Sequence, residues 1–339
     1  MSGEPLLSVS GLKVSYGMPH GRVTAVDDAT FEVPRGAIVG VVGESGCGKT
    51  TVARALTRVM AGNARIDGGT ARFDGPDILA LSERAMNRLR WRDIAFIPQS
   101  AMNSLDPVYT VRAQLREVLR KRGGHSARSA EARAVELFEM VGIEAGRLSD
   151  YPHQFSGGMR QRAAIALALA LEPKLVIADE PVTALDVIVQ RQILDQLKTL
   201  QERLGLSVIL VTHDISVVAY VCDRVVVMYA GRVAESGAMR TVLTEPQHPY
   251  TMGLCNAFPD LSGAMGILTP IEGSPPDLSD PPPACRFEPR CPFSLASCGE
   301  RTPRLSTTDV SHRVACHRAG EAAELRGDAA KVETWAALA

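Results

Sequence analysis

The sequence has no apolar run approaching the ~18–20 residues that a membrane-spanning helix needs. The longest, around residues 163–171 and 225–230, reach about half that length. It also lacks an excess of either charge. The 37 Lys and Arg residues face 38 Asp and Glu, for a formal net charge of −1, which removes any global attraction to nucleic acid or anionic lipid. The opening residues Met1-Ser2-Gly3-Glu4-Pro5 carry neither the basic nor the apolar block of a secretion signal, so the expected location is the cytosol. There is no internal repeat. What is present is a globular mixture, 45% hydrophobic and 22% charged over 339 residues, enough for about two domains of ordinary size.

Three textures follow one another. Residues 1–75 read as short strands and turns: 6–14 has strand character, Phe31-Glu32-Val33 is another strand, and 37–42 is an apolar run suited to a strand buried on both faces. Residues 77–170 read as mostly helical, with periodic apolar positions over 111–119 and 132–141. The Arg-rich stretch 112–133 is interrupted by Glu117 and Glu131, and Glu136 follows, so it reads as a solvated helical face and not a nucleic-acid site. Residues 171–237 alternate strand (174–178), helix (187–204), strand (207–211) and strand (224–228), the mark of a mainly parallel sheet covered on both sides. Beyond about residue 258 the periodicity stops. Ten of the 21 prolines fall between Pro259 and Pro303, which excludes a long helix or a central strand there. The last twenty residues, rich in Ala and Glu, read as a frayed helix or a disordered tail.

Gly43-Glu44-Ser45-Gly46-Cys47-Gly48-Lys49-Thr50 follows the buried strand and opens an apolar helix at Thr51. In that setting G-x-x-x-x-G-K-T is a phosphate loop. Its glycines let backbone N–H groups face a phosphate, Lys49 reaches the β- and γ-phosphates, and the Thr50 hydroxyl ligates Mg²⁺. The helix N-terminus is expected to lower the Cys47 thiol pKa, so that alkylation there would block turnover sterically. Cys222 and Cys255 read as small buried apolar residues. A second apolar strand ends in Asp179 and Glu180: Asp179 is placed to hold the Mg²⁺ shell and Glu180 to act as general base on water. Between them, Ser156-Gly157-Gly158 opens another helix 107 residues after Lys49, a second anion-binding helix N-terminus. One triphosphate needs only one such end. The economical explanation is a composite site in which Ser156-Gly157-Gly158 of one subunit covers the γ-phosphate held by its partner.

This ordered set resembles the ATP-binding subunit of ABC (ATP-binding cassette) transporters over about residues 6–257. The resemblance implies an α/β fold: a phosphate-loop ATPase core with an antiparallel β subdomain, an inserted helical subdomain at about 95–170 and a small C-terminal Cys-rich domain. It implies that Tyr16 stacks on adenine, that the phosphate-loop residues through Thr51 bind nucleotide, and that Gln99 contacts Mg²⁺ and links the site to membrane subunits. It further implies that Ala184-Leu185-Asp186 crosses the subunit boundary and that His213 is the switch histidine holding the γ-phosphate geometry. One departure stands out: Met159 occupies the position where the family's commonest signature, Ser-Gly-Gly-Gln, has glutamine. Phe155-Ser-Gly-Gly-Met-Arg-Gln-Arg162 is instead similar to the oligopeptide/dipeptide (peptide/nickel) importer branch. So are Met102-Asn103-Ser104-Leu105-Asp106-Pro107, Thr183-Ala184-Leu185-Asp186-Val187, His248-Pro249-Tyr250-Thr251 and Gly273-Ser274-Pro275-Pro276.

The domains expected on this basis are 1–257 for nucleotide binding, 258–320 for a Pro/Cys-rich C-terminal regulatory region, and 321–339 for a tail. Within the second, Cys285, Cys291, Cys298 and Cys316 are spaced C-x5-C-x6-C-x17-C, too open for a zinc ribbon. The resemblance implies a 4Fe–4S cluster on these four. Zinc, with His312 or His317 replacing one thiol, and four unligated cysteines are the alternatives. The expected function is ATP hydrolysis in a head-to-tail dimer, of identical or related cassettes, coupled to uptake of oligopeptides or dipeptides. The expected partners are two transmembrane permease subunits and an extracytoplasmic substrate-binding protein, with the chain peripheral on the cytoplasmic face of the membrane. An importer ATPase for nickel or another small solute, and a soluble regulatory ABC ATPase, are the alternatives.

Overall fold

The computed structural model describes residues 3–19, 21–99, 104–183, 185–257, 271–309 and 311–336. Its strands are β1 (Leu7–Met18), β2 (Gly21–Val33), β3 (Ile38–Val42), β4 (Ala64–Phe73), β5 (Ile94–Ile97), β6 (Leu175–Asp179), β7 (Ser207–Thr212), β8 (Arg224–Tyr229), β9 (Arg232–Ala238), β10 (Ser306–Asp309) and β11 (His312–Val314). The chain divides into two compact units.

The first unit comprises Met1–Leu6, Val33–Ile38 and Ala80–Val211. Its strands β5, β6 and β7 are parallel neighbours, with Ala95 beside Val176 and Ile177 beside Ile209. Strand β6 is buried along its whole length, as the unbroken apolar run Leu-Val-Ile-Ala requires. The helices start where a side chain can accept an orphan N–H: Thr110, Ser126, Ser156 and Asp186 each cap the helix that follows. The helix Val187–Leu204 buries Ile193, Leu194, Leu197 and Leu200, one stripe at helical spacing. Gln201 extends that stripe and donates to the Gly36 carbonyl at 2.6 Å. Residues 77–170 are mostly helical, as expected, with β5 the strand that the sequence reading passed over. Four residues, Ile-Ala-Phe-Ile, are too short for periodicity to tell strand from helix.

The second unit comprises Leu7–Glu32, Val39–Leu79 and Thr212–Ala339. It holds an antiparallel sheet in the order β2-β1-β4 and a further run β10-β11-β9-β8-β3, in which β3 and β8 are parallel and the other pairs antiparallel. The late strands β10 and β11 form a hairpin added at the side of β9, and both lie beyond Pro303, outside the Pro-rich stretch. The last twenty residues, expected as a frayed helix or a disordered tail, are helical over most of the described part and packed rather than frayed. Helices Ala322–Ala329 and Val332–Ala336 bury Leu325 and Trp335. The Trp335 indole donates to the Ala329 carbonyl at 2.8 Å, so one buried aromatic pins a segment whose composition alone reads as unstructured.

Candidate functional site

The phosphate loop leaves β3, all five of whose residues are buried, and turns on glycines, two of which nothing else can replace. A Cβ on Gly43 (φ +155°) would stand 2.1 Å from the Met228 carbonyl oxygen, and one on Gly48 (φ +100°) 2.4 Å from that of Ala25. Gly46 (φ +78°) faces open space. The helix Lys49–Thr57 begins with Gly48 and has no side-chain cap, so the loop side of its N-terminus keeps N–H groups for a ligand. The buried Lys49 ammonium donates to the carbonyls of Gly43 (2.7 Å) and Glu44 (2.8 Å). Tyr16 brings its hydroxyl from β1 to Thr51 Oγ1 at 3.2 Å. Such a cradle, with a cation folded into it, fits a phosphate chain.

The Cys47 expectation is corrected. Its side chain is 2% exposed and burial pushes the thiol pKa up, outweighing the Lys49 ammonium 3.6 Å away.

In the other unit, Glu180 follows the buried Asp179 at the end of β6. Its φ of +49° puts a non-glycine residue in the left-handed region, a conformation that concentrates at functional sites. Its N–H donates to the Val211 carbonyl at 2.8 Å. Gln99 Nε2 donates to Glu180 Oε2 at 2.8 Å and Thr183 Oγ1 to the same oxygen at 3.1 Å. Gln99 and Glu180, 81 residues apart in sequence, thus meet directly. Ser156 Oγ accepts the Met159 N–H at 3.3 Å. Gly158 is needed where it stands, since a Cβ would lie 2.7 Å from Val189 Cγ1. Asp186 accepts the Val189 N–H at 2.9 Å. Ala184, Met102 and Asn103 lie outside the described residues. His213 belongs to the phosphate-loop unit. It is exposed just after β7, on a turn where Asp214 N–H donates to Thr212 Oγ1 at 3.0 Å.

Sequence reasoning passed over the surroundings of Glu44. Its N–H donates to the buried Tyr250 hydroxyl at 3.0 Å, and its carboxylate pairs with Arg290. The His-Pro-Tyr stretch was visible, but the pairing spans 206 and 246 residues and no local pattern announces it.

The four late cysteines face one small cavity of about 10 Å³, lined also by Pro249, Phe287, Phe293 and Arg318. Burial pushes the thiols of Cys291 and Cys316 up to about 12 and about 11. The Arg318 N–H donates to Cys316 Sγ at 3.4 Å. Among the described residues no group of three or more His, Cys, Asp or Glu is arranged to hold a metal ion. The histidines weighed for zinc are engaged elsewhere: His312 Nε2 with Glu235 at 2.6 Å and His317 Nε2 with the Arg301 carbonyl at 2.9 Å.

A phosphate loop, a strand ending in two acids and a Ser-Gly-Gly helix start define a nucleotide-binding cassette. The chain belongs to the ABC transporter ATP-binding family, ATPases that couple ATP hydrolysis to transport. It matches "ABC transporter" over residues 26–183 and "Oligopeptide/dipeptide transporter, C-terminal region" over 234–298. It is 44% identical to the dipeptide transport ATP-binding protein DppD of Bacillus subtilis, over 96% of this chain and 99% of that one. To the oligopeptide transport ATP-binding protein OppD of Salmonella typhimurium it is 46% identical, over 88% and 89%. Among solved structures it resembles the ATP-binding cassette MJ0796, a dimer in a post-hydrolysis state bound to ADP and Pi, with a TM-score of 0.62 and 28% identity over 69% of this chain and 99% of that one. CbiO1 of Clostridium perfringens gives a TM-score of 0.63 and 27% identity over 72% and 92%. No helix among the described residues is long and apolar enough to cross a membrane.

Proposed function

We propose that this chain is the ATP-hydrolysing subunit of an importer that takes up oligopeptides or dipeptides. The observation that carries this reading is the joining, in one chain, of a glycine-built phosphate loop to the His-Pro-Tyr stretch of an oligopeptide/dipeptide C-terminal region, through the Tyr250 hydroxyl on the Glu44 N–H. Lys49 leaves the loop carbonyls to neutralise the β- and γ-phosphates, and Tyr16 offers its ring to adenine. Thr50, Gln99 and Asp179 are oxygen donors of the kind Mg²⁺ takes, and the ion when bound offsets phosphate charge. Glu180, steadied by Gln99 and Thr183, accepts the proton of the attacking water, while His213 holds the γ-phosphate geometry.

The Ser156–Gly158 helix start covers a triphosphate held by a second cassette, identical or related. Asp186 stands at that boundary, followed by the 80% and 72% exposed Val187 and Ile188, which need a covering surface. Val108 and Tyr109, 70% and 57% exposed, offer an apolar handle to two membrane permeases on the cytoplasmic face. An extracytoplasmic binding protein delivers the peptide. Residues 1–257 form the nucleotide-binding domain, with a helical subdomain at about 95–170, and 258–320 the Cys-rich domain. Cys285, Cys291, Cys298 and Cys316 hold a 4Fe–4S cluster that braces this domain. Support comes from the donor chemistry alone, four thiols lining one cavity and a backbone N–H on Cys316 Sγ, thiolate being the ligand that iron–sulfur clusters take. Protein purified without oxygen should carry iron and sulfide, and stoichiometric zinc instead would refute the cluster.

Glu180→Gln tests the catalytic reading. It should bind ATP normally and lose turnover on the order of a thousandfold; turnover at the parent rate refutes the general base. For the cargo, a strain lacking this chain should stop accumulating short peptides while other uptake continues, and undiminished peptide uptake refutes it.

A further inference from the structure

Glu44 is the second residue of the phosphate loop, and three of its groups are held. Its carbonyl accepts Lys49, its N–H donates to Tyr250, and its carboxylate receives a two-pronged contact from Arg290, with Nη1–Oε2 at 2.7 Å and Nη2–Oε1 at 3.0 Å. Arg290 lies 246 residues away in the C-terminal region, and its side chain is only 7% exposed. The rest of its guanidinium is fully engaged: Nε donates to the Glu272 carbonyl (2.9 Å), Nη2 also to those of Ile271 and Gly273 (both 3.2 Å), and Nη1 to the Tyr229 hydroxyl (3.2 Å). Tyr229, Tyr250 and Phe287 pack ring against ring around this point. Arg290 itself ends a short turn closed by Glu288 N–H on the Cys285 carbonyl and Cys291 N–H on that of Glu288, so the two flanking cysteines fix where it points.

We propose that Arg290 and Tyr250 are positioning residues for the phosphate loop: they clamp Glu44 from outside, and through it the C-terminal region sets the affinity for ATP. The proposal rests on the ATP site at Lys49. Two physical effects act together. A loop whose carbonyls are deserted when Lys49 turns to the phosphates needs another hold on its shape, and the clamp supplies it before the ligand arrives. Glu44 also places a carboxylate beside a site for a polyanion, and only a paired guanidinium makes that charge tolerable.

The second effect gives a signature that simple bracing cannot imitate. Binding of ATP with Mg²⁺ to the purified full chain is measured by calorimetric titration. Arg290→Met leaves a bare carboxylate next to the phosphates and should weaken binding on the order of tenfold. Glu44→Gln removes the charge and should weaken it by about threefold or less. The double variant Glu44→Gln/Arg290→Met should bind better than Arg290→Met alone, because the offending charge is gone. A merely structural arginine would make the double variant as weak as Arg290→Met or weaker, and that result overturns the proposal. So does parent affinity in Arg290→Met. If Arg290→Met does not fold, Tyr250→Phe decides: it strips the acceptor from the Glu44 N–H and should weaken ATP by about fivefold, and undiminished affinity overturns the clamp. Lys49→Ala serves as the control. Normal ATP binding by that variant would refute the site itself, whereas its loss beside a normal Arg290→Met would refute the clamp alone.

Discussion

At Gly43 and Gly46 the same substitution meets two different surroundings. Both have positive φ, but a methyl group on Gly43 runs into the Met228 carbonyl while one on Gly46 meets nothing within 4 Å. Gly46→Ala should therefore cost only the backbone strain, about 1 kcal/mol. Gly43→Ala should cost more than about 3 kcal/mol, because backbone must move on both sides. Denaturant unfolding of the two variants checks the order, and equal losses would mean that the loop is looser than its geometry. Cys47 teaches the opposite lesson about reading residues singly. A helix N-terminus stabilises a thiolate only where water can also reach it. Here desolvation is the larger effect, and nothing in the order of residues distinguishes the two cases.

At the scale of elements, what repeats locally was readable and what is held by distant partners was not. The helix Val187–Leu204 follows from its apolar stripe and its Asp186 cap, and β6 from its run of Leu-Val-Ile-Ala. Strand β4, with Gly68 and Gly69 in the middle and only Ala71 and Phe73 buried, exists because β1 pairs with it from Leu7–Phe73 to Tyr16–Ala64. The His-Pro-Tyr turn is the sharpest case. His248 Nδ1 accepts the Tyr250 N–H at 3.0 Å, and its own N–H donates to Glu235 at 2.9 Å. This cap aims Tyr250 at the phosphate loop, and it works with a neutral ring. Burial pulls the His248 pKa from 6.5 down to about 4, against a smaller opposing effect of Glu235. The unfolded chain therefore binds the extra proton first. Stability should be intact above pH 6.5 and decline as pH falls toward 4, by about 3 kcal/mol from this residue. His248→Asn keeps an N-cap acceptor without the titration. Unfolding free energies of the two proteins should converge as pH falls through that window; parallel curves would mean that His248 is not the group responsible.

For the molecule as a whole, the decisive quantity is how many chains one ATP needs. Lys49 and Ser156 each open a helix whose first N–H groups suit an anion, and each start has its own local support: glycine turns at Gly43 and Gly48, a side-chain cap at Ser156. One solved cassette that this chain resembles is a dimer holding ADP and Pi, which suits a site completed by a neighbour. If the Ser156 end belongs to a partner's nucleotide, bulk placed there should leave binding by the isolated chain alone and remove hydrolysis by the assembly. Ser156→Phe forfeits the helix cap, about 1 kcal/mol, which is too little to unfold the protein. It should bind ATP within about twofold of the parent yet hydrolyse it on the order of a hundredfold more slowly, as when a preorganised donor is withdrawn from a transition state. Light scattering with ATP present should then find single chains where the parent pairs. Full turnover by Ser156→Phe, or undiminished turnover by the parent under dilution that keeps it monomeric, would mean that one chain suffices and that the Ser-Gly-Gly helix start has some other use.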